Sequence, residues 1–325
     1  MKAVVYDRYG PASVLRLAEI DKPTPRPGEL LIRVGASEVT KTDCELRSFH
    51  FGVKWFWLPL RLACGVFRPR KQVLGMYFAG EVELVGEACT RFAVGERVFG
   101  SAQFRLGGHG EYLCIPETYP LARVPEGLSW EEIATVPLGG CNGLHFMRLA
   151  NIEPGSRVLI VGAGGSIGAH ALQVAKIMGA RVTVVDAAHK EAQLKRWGAD
   201  DFVDYAQTNF WQAPERYDVV FNLVPSIGFS NCLRVLTPKG RYLMGNPKLS
   251  DMFATLLTKL LSRRTASFAF AAETAADLQT LADWMSAGKL TPCLDQLLPL
   301  EQAQAAHERV ETEARVGCVV LQAQS

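Results

Sequence analysis

The chain has 325 residues, 48% of them apolar and 21% charged, with a formal net charge of +2. That length exceeds one comfortable hydrophobic core and predicts two domains, and the near-neutral balance excludes a global field that would draw the chain to nucleic acid or to a membrane surface. Eight scattered cysteines with no C-x-x-C pair exclude a disulfide framework and a zinc ribbon; with no apolar leader and no run of ~18 uncharged apolar residues, the expectation is a cytoplasmic protein without a transmembrane helix.

From the start to about residue 123, strand-like runs (KAVVY, ELLIRV, AGEVELVG, ERVFG, EYLCIP) alternate with Gly and Pro, and helical periodicity appears only around 44–67. Within this half, QVLGMYFAG (72–80) sets Met76 and Tyr77 at the tip of a tight glycine turn. The run FHFGVKWFWLPLRLACGVFR (49–68) spaces Lys54, Arg61 and Arg68 seven apart among aromatic and aliphatic residues, with Pro59 and Gly65 expected to break any helix. It reads as a hydrophobic roof and wall for a bulky acceptor, with dimer contacts, or as a patch for peripheral membrane contact. The segment 252–264 has similar character.

From about residue 155 the texture changes. VLIV (158–161), IGAHALQVAKIMGA, VTVVD (182–186), KEAQLKRWGA, DVVFNLV, SNCLRVL and RYLMG alternate strand with helix. Uninterrupted apolar strands predict a parallel sheet covered on both faces. After about 272 come two helices and a final strand, CVVLQ.

The most informative segment is VLIVGAGGSIGAHALQVAK. A buried strand ends at Val161, Gly162, Ala163, Gly164 and Gly165 follow, and a helix starts near Ser166 with Ile167, Ala171, Ala175 and Met178 on one face. The spacing is A-x-G-x-x-G, from Ala163 through Gly165 to Gly168. Such a loop lets the backbone approach a pyrophosphate at a helix N-terminus. Asp186 ends the next strand, where a carboxylate accepts from a ribose diol and repels a 2′-phosphate. This favours NAD(H), with NADP(H) as the alternative because His189 and Lys190 follow closely. The competing readings are a glycine turn in an unrelated α/β domain, and Asp186 as a helix N-cap.

Taken together, MKAVVYDRYGPASVLRLAEIDKPTPRPGELLIRV, VLGMYFAGEVELVG, GERVFG, GGHGEYLCIPE, PEGLSWEEIATVPLGG, VLIVGAGGSIG and DLQTLADWMSAGKLTPCLDQLLPLEQAQAAHERV resemble the medium-chain dehydrogenase/reductase superfamily, in its zinc-independent quinone oxidoreductase branch. The resemblance covers nearly the whole chain. It implies a β-rich GroES-like substrate domain (1–123 and 272–325) and an inserted Rossmann domain (124–271) with a doubly wound parallel sheet, a cofactor in the cleft and a homodimer. At the three positions that hold zinc in the zinc alcohol dehydrogenases, this chain has Thr40, Met76 and Leu138, and SAQFRLGGHGEY holds no cysteine for a structural zinc. Asp43, Cys44 and His50 read as a turn or pocket wall, so no metal is expected.

Without a Lewis acid, hydride transfer suits an activated, apolar acceptor: a quinone, an enone or an enal. Thr40, Thr42 and Tyr77 are then the candidate donors to the developing oxyanion, with Tyr77 replacing the acid usual in this branch. By position, the resemblance also implies cofactor contacts at Asn142, Tyr205, Leu223, Val224 and Gly245. Two other functions stay open: a cofactor-binding protein without turnover, and a zinc-type alcohol dehydrogenase.

Overall fold

The computed structural model describes residues 1–51, 57–262, 264–269 and 271–323. The chain divides into two compact units. One comprises Met1–Phe51, residues 57–138 and residues 273–323; the other contains Gly139–Ala272.

The first unit begins with β1 (Lys2–Val5), paired antiparallel with β2 (Arg16–Glu19). Then come β3 (Glu29–Val39), α1 (Lys41–Ser48), α2 (Trp57–Cys64), β4 (Tyr77–Val85), β5 (Arg97–Ser101), β6 (Tyr112–Pro116), β7 (Leu121–Arg123) and α3 (Trp130–Ala134). β3 is the spine: ten of its eleven residues are buried, because it pairs with β4 along its length and with β6 at its start. Leu30, Ile32 and Val34 of β3, Phe78 and Val82 of β4, Val98 of β5 and Ile115 of β6 join one core.

In α2, Pro59 is the third residue and does not break the helix as expected. Trp57, Leu58 and Leu62 of α2, and Val66 and Phe67 beyond it, are exposed. Residues 52–56, including Lys54, lie outside the described part of the 49–68 run.

The second unit contains α4 (Val136–Ala150, from Gly139 onward), β8 (Arg157–Val161), α5 (Ser166–Ile177), β9 (Arg181–Asp186), α6 (Glu191–Arg196), β10 (Asp201–Asp204), β11 (Tyr217–Asn222), α7 (Phe229–Arg234), β12 (Leu236–Met244), α8 (Leu249–Leu261) and β13 (Thr265–Phe268). The strands form a parallel sheet in the order β10-β9-β8-β11-β12-β13. This is the doubly wound Rossmann arrangement, whose strand order reverses between β8 and β11 and so opens a ligand crevice at their carboxyl ends. α5 starts at Ser166 as expected, but it is buried almost all round, from Gly168 through Ala175, with Ile167 and Met178 only half-buried. Its small residues let neighbours approach from both sides, so no single apolar stripe forms.

The chain then returns to the first unit with α9 (Ala275–Ser286), β14 (Leu294–Pro299), α10 (Ala303–Glu311) and β15 (Cys318–Gln322). β15 pairs antiparallel with β3, Val319 opposite Val39 and Gln322 opposite Ala36, and parallel with β14. The larger sheet of this unit is thus closed by residues from both ends of the chain.

Candidate active site

In the second unit, the predicted glycine loop lies at the carboxyl end of β8, at the reversal point. The N-cap of α5 is Gly165, which contributes no capping side chain, so the first turn meets the crevice as backbone. Gly168 is required by close approach: a Cβ there would lie 2.5 Å from the Gly162 carbonyl oxygen and 2.6 Å from Ala163 Cα. Leu223 and Val224, just past β11, lie over Gly162, and Gly245, just past β12, lies against Leu223. Val224 is held by its N–H donating to Asn222 Oδ1 at 2.9 Å. α4, which carries half-buried Asn142, packs on α5 through Gly139 and Gly143.

Asp186 ends β9 and is buried. Its Oδ2 accepts from the Gly164 N–H at 2.7 Å and its Oδ1 from the Ala187 N–H at 2.9 Å. The ammonium of buried Lys190 sits 3.1 Å from Oδ1. Asp186 is therefore not the N-cap of α6, a place taken by Lys190; it ties the glycine loop to the end of β9. The exposed Tyr205 donates its backbone N–H to the Asp186 carbonyl at 3.3 Å. Gly164, Asp186 and Lys190 thus meet in one cluster, Ser166 lies against Gly139 of α4, and Gly162, Leu223, Val224 and Gly245 lie together at the strand ends.

In the first unit, the site is organised by Asp43. Thr40 is the N-cap of α1 and forms a capping box with Asp43. Asp43 Oδ2 accepts from the Thr40 N–H at 2.9 Å and from the Thr40 hydroxyl at 2.6 Å. Oδ1 accepts from the Gly75 N–H at 2.9 Å. The Gly75 turn has φ +95, and a Cβ there would meet the His109 nitrogen at 2.6 Å, so only glycine fits. Beyond it, Met76 is buried and Tyr77 is the first residue of β4, buried between Glu38 and Ser101 on the neighbouring strands, rather than at the tip of a turn.

The Tyr77 hydroxyl donates to Glu273 Oε1 at 2.5 Å. Burial first, then the Glu273 carboxylate, raises the Tyr77 phenol well above the usual tyrosine range. Thr42, half-buried, is the second residue of α1. Beneath them lie the buried imidazoles of His109 and His307, with ring centroids 5.7 Å apart, and Cys44 Sγ is 3.4 Å from His307 Nδ1.

Three family models match in tandem: an alcohol dehydrogenase GroES-like domain over residues 26–126, an alanine dehydrogenase/PNT C-terminal domain over 136–224, and a zinc-binding dehydrogenase over 197–321. An acryloyl-coenzyme A reductase of Metallosphaera sedula is 27% identical over 99% of both chains. A quinone oxidoreductase of Sus scrofa is 27% identical over 95% of this chain and 94% of its own. The solved quinone oxidoreductase of Coxiella burnetii superposes with a TM-score of 0.87 at 26% identity, covering 100% of this chain and 99% of its own. The chain belongs to the medium-chain dehydrogenase/reductase superfamily, in its quinone-oxidoreductase-like branch.

As a member of this superfamily, the chain can be tested for the two groups its relatives use. The glycine cradle, the reversal point and the buried acid at the end of β9 fit a nicotinamide dinucleotide. The zinc positions do not fit a metal: Thr40 is a capping hydroxyl, Met76 a buried thioether and Leu138 a hydrocarbon. Among the described residues, no group of three His, Cys, Asp or Glu side chains is arranged to hold a metal ion. Of the three candidate donors, Thr40 has its only hydroxyl proton engaged by Asp43, and Tyr77 has its own engaged by Glu273. Sequence reasoning missed Glu273, because it joins Tyr77 across 196 residues. It also missed the role of Asp43, which the T-x-x-D spacing from Thr40 did signal.

Proposed function

We propose that the protein is a zinc-independent NAD(P)H-dependent reductase of quinones or α,β-unsaturated carbonyls, preferring NAD(H), and working as a cytoplasmic homodimer. The observation that carries this reading is the Tyr77–Glu273 pair: a buried phenol that burial and the neighbouring carboxylates keep protonated, next in sequence to the buried thioether of Met76 at a position without a metal-binding side chain. A bound nicotinamide would supply the hydride. The α5 N-terminus and the Gly162–Gly168 loop hold its pyrophosphate, and Asp186 takes the ribose edge. On the acceptor side, negative charge develops on a carbonyl or quinone oxygen. Tyr77 stays protonated through the neutral range, and rotation of its O–H away from Glu273 presents that proton to the oxyanion. Thr42 is the second donor.

A non-catalytic cofactor-binding role is the other reading. The engagement of both the Thr40 and the Tyr77 protons by carboxylates supports it. Initial rates of NADH and NADPH oxidation, with naphthoquinone and a series of short enones and with a chelator present, separate the two. Turnover that survives the chelator establishes the zinc-free reductase. Cofactor binding without turnover for any acceptor overturns it.

A further inference from the structure

The segment from Trp57 to Lys71 holds most of the described part of the run whose sequence fits either a roof over the acceptor or a patch for membrane contact. Trp57, Leu58, Leu62, Val66 and Phe67 are exposed, Phe67 to 92%. The turn that holds Phe67 outward is firmly built. Gly65 donates to the Arg61 carbonyl at 3.0 Å and Arg70 to the Cys64 carbonyl at 2.8 Å. Arg61 Nε donates to the Val66 carbonyl at 2.8 Å, and its guanidinium stacks on Tyr9 and Phe49 at 4.0 and 4.4 Å. The Tyr9 hydroxyl fastens the same turn by donating to the Gly65 carbonyl at 2.8 Å. These contacts tie the turn to Tyr9 and Phe49 and leave the Phe67 ring in water, in a patch with Trp57, Leu58, Leu62 and Val66 that points to a partner.

The charge around it names the partner. Arg68, Arg70 and Lys71 are exposed beside Phe67, and no Asp or Glu occurs between Glu45 and Glu81. A second copy docked symmetrically on this face would set these cations against their own counterparts, which is repulsive. An anionic lipid surface satisfies both features: the headgroup boundary takes the aromatic side chains and the phosphates take the cations. We propose that the face formed by residues 57–71 docks peripherally on an anionic lipid bilayer, with Phe67 and Trp57 at headgroup depth and Arg68, Arg70 and Lys71 on the phosphates.

The test is co-sedimentation of the full chain with phosphatidylcholine vesicles, with and without phosphatidylglycerol. The expected result is binding only to the anionic vesicles, weakening as salt rises. Arg68→Gln and Arg70→Gln each lower the partition about fivefold, and Phe67→Ser lowers it about tenfold or more, with unchanged circular dichroism and melting temperature. Wild-type protein that stays in the supernatant at low salt overturns the proposal. So does equal binding by Phe67→Ser, or a dimer in sedimentation velocity that Phe67→Ser dissolves. The readout is partition, so its failure leaves the reductase reading untouched.

Discussion

The Tyr77 phenol and the Glu273 carboxylate share a 2.5 Å hydrogen bond between the first residue of β4 and the residue before the N-cap of α9. On the proposed reading, the proton held between this buried phenol and carboxylate would answer the charge that develops on an acceptor oxygen. Tyr77→Phe is expected to lower kcat by about 100-fold, in the range of a lost general acid, with little change in KM for the nicotinamide. Glu273→Gln keeps an acceptor for the phenol and is expected to cost less. Steady-state rates on both variants decide this; full activity in Tyr77→Phe would make the phenol a packing residue.

On the proposed reading, the buried Asp186–Lys190 pair would set the cofactor preference. The carboxylate is already balanced by the ammonium at 3.1 Å, so a 2′-phosphate meets a paired rather than a bare negative charge. Asp186→Ser removes the repulsion and frees Lys190, and is expected to shift the NADPH-to-NADH affinity ratio by about tenfold or more. Lys190→Ala leaves the carboxylate uncompensated and shifts the ratio the other way. Titrations of nicotinamide fluorescence measure both constants without turnover.

Gly168→Ala is expected to destabilise the protein by about 1–3 kcal/mol, the range for overpacking, and to abolish dinucleotide binding. The added methyl would press on the backbone of Gly162 and Ala163, and backbone cannot rotate away as a side chain can. Denaturant unfolding with and without NADH reads both effects.

Acid is expected to destabilise the fold through three buried histidines. Burial holds His170 down at about 4 against an ordinary 6.5. It also lowers His109, against the opposing pull of Asp43, and takes His307 well below the usual value, helped by His109 and Arg47. The unfolded chain binds protons that the folded one refuses. The stability they contribute is therefore fully present above about 6.5 and, for His170, is lost as pH falls through about 4, amounting to about 3 kcal/mol. Melting temperatures between pH 7 and 4.5 should fall steadily, and His170→Gln should flatten the slope.

The Rossmann unit was legible in the sequence because its signals are local: an apolar strand, a glycine turn and a helix follow one another within twenty residues. The same locality put Gly162 and Gly165 in the turn after β8 and Asp186 at the end of β9, where the structure has them. What Asp186 does there was harder to read, since its bond to the Gly164 N–H depends on how β9 lies beside β8. β14 went unread because LDQLLP has no strict alternation and is fixed by pairing with β15. Met76 and Tyr77 were read as a turn tip, since glycine on both sides hides that β4 begins at Tyr77. Glu273 carried no local pattern at all: its partner is supplied by the closure of the first unit.

That closure bears on how the protein is made. β3 acquires its neighbour β15 only when residues 318–322 exist, and Tyr77 acquires Glu273 only after the whole of Gly139–Ala272 has left the ribosome. Among the described residues, the second unit is one continuous stretch and can complete its sheet during synthesis, while residues 36–39 of β3 wait as an open strand edge. That edge of β3 thus stays adhesive until residues 318–322 have emerged, and their pairing ends the exposure.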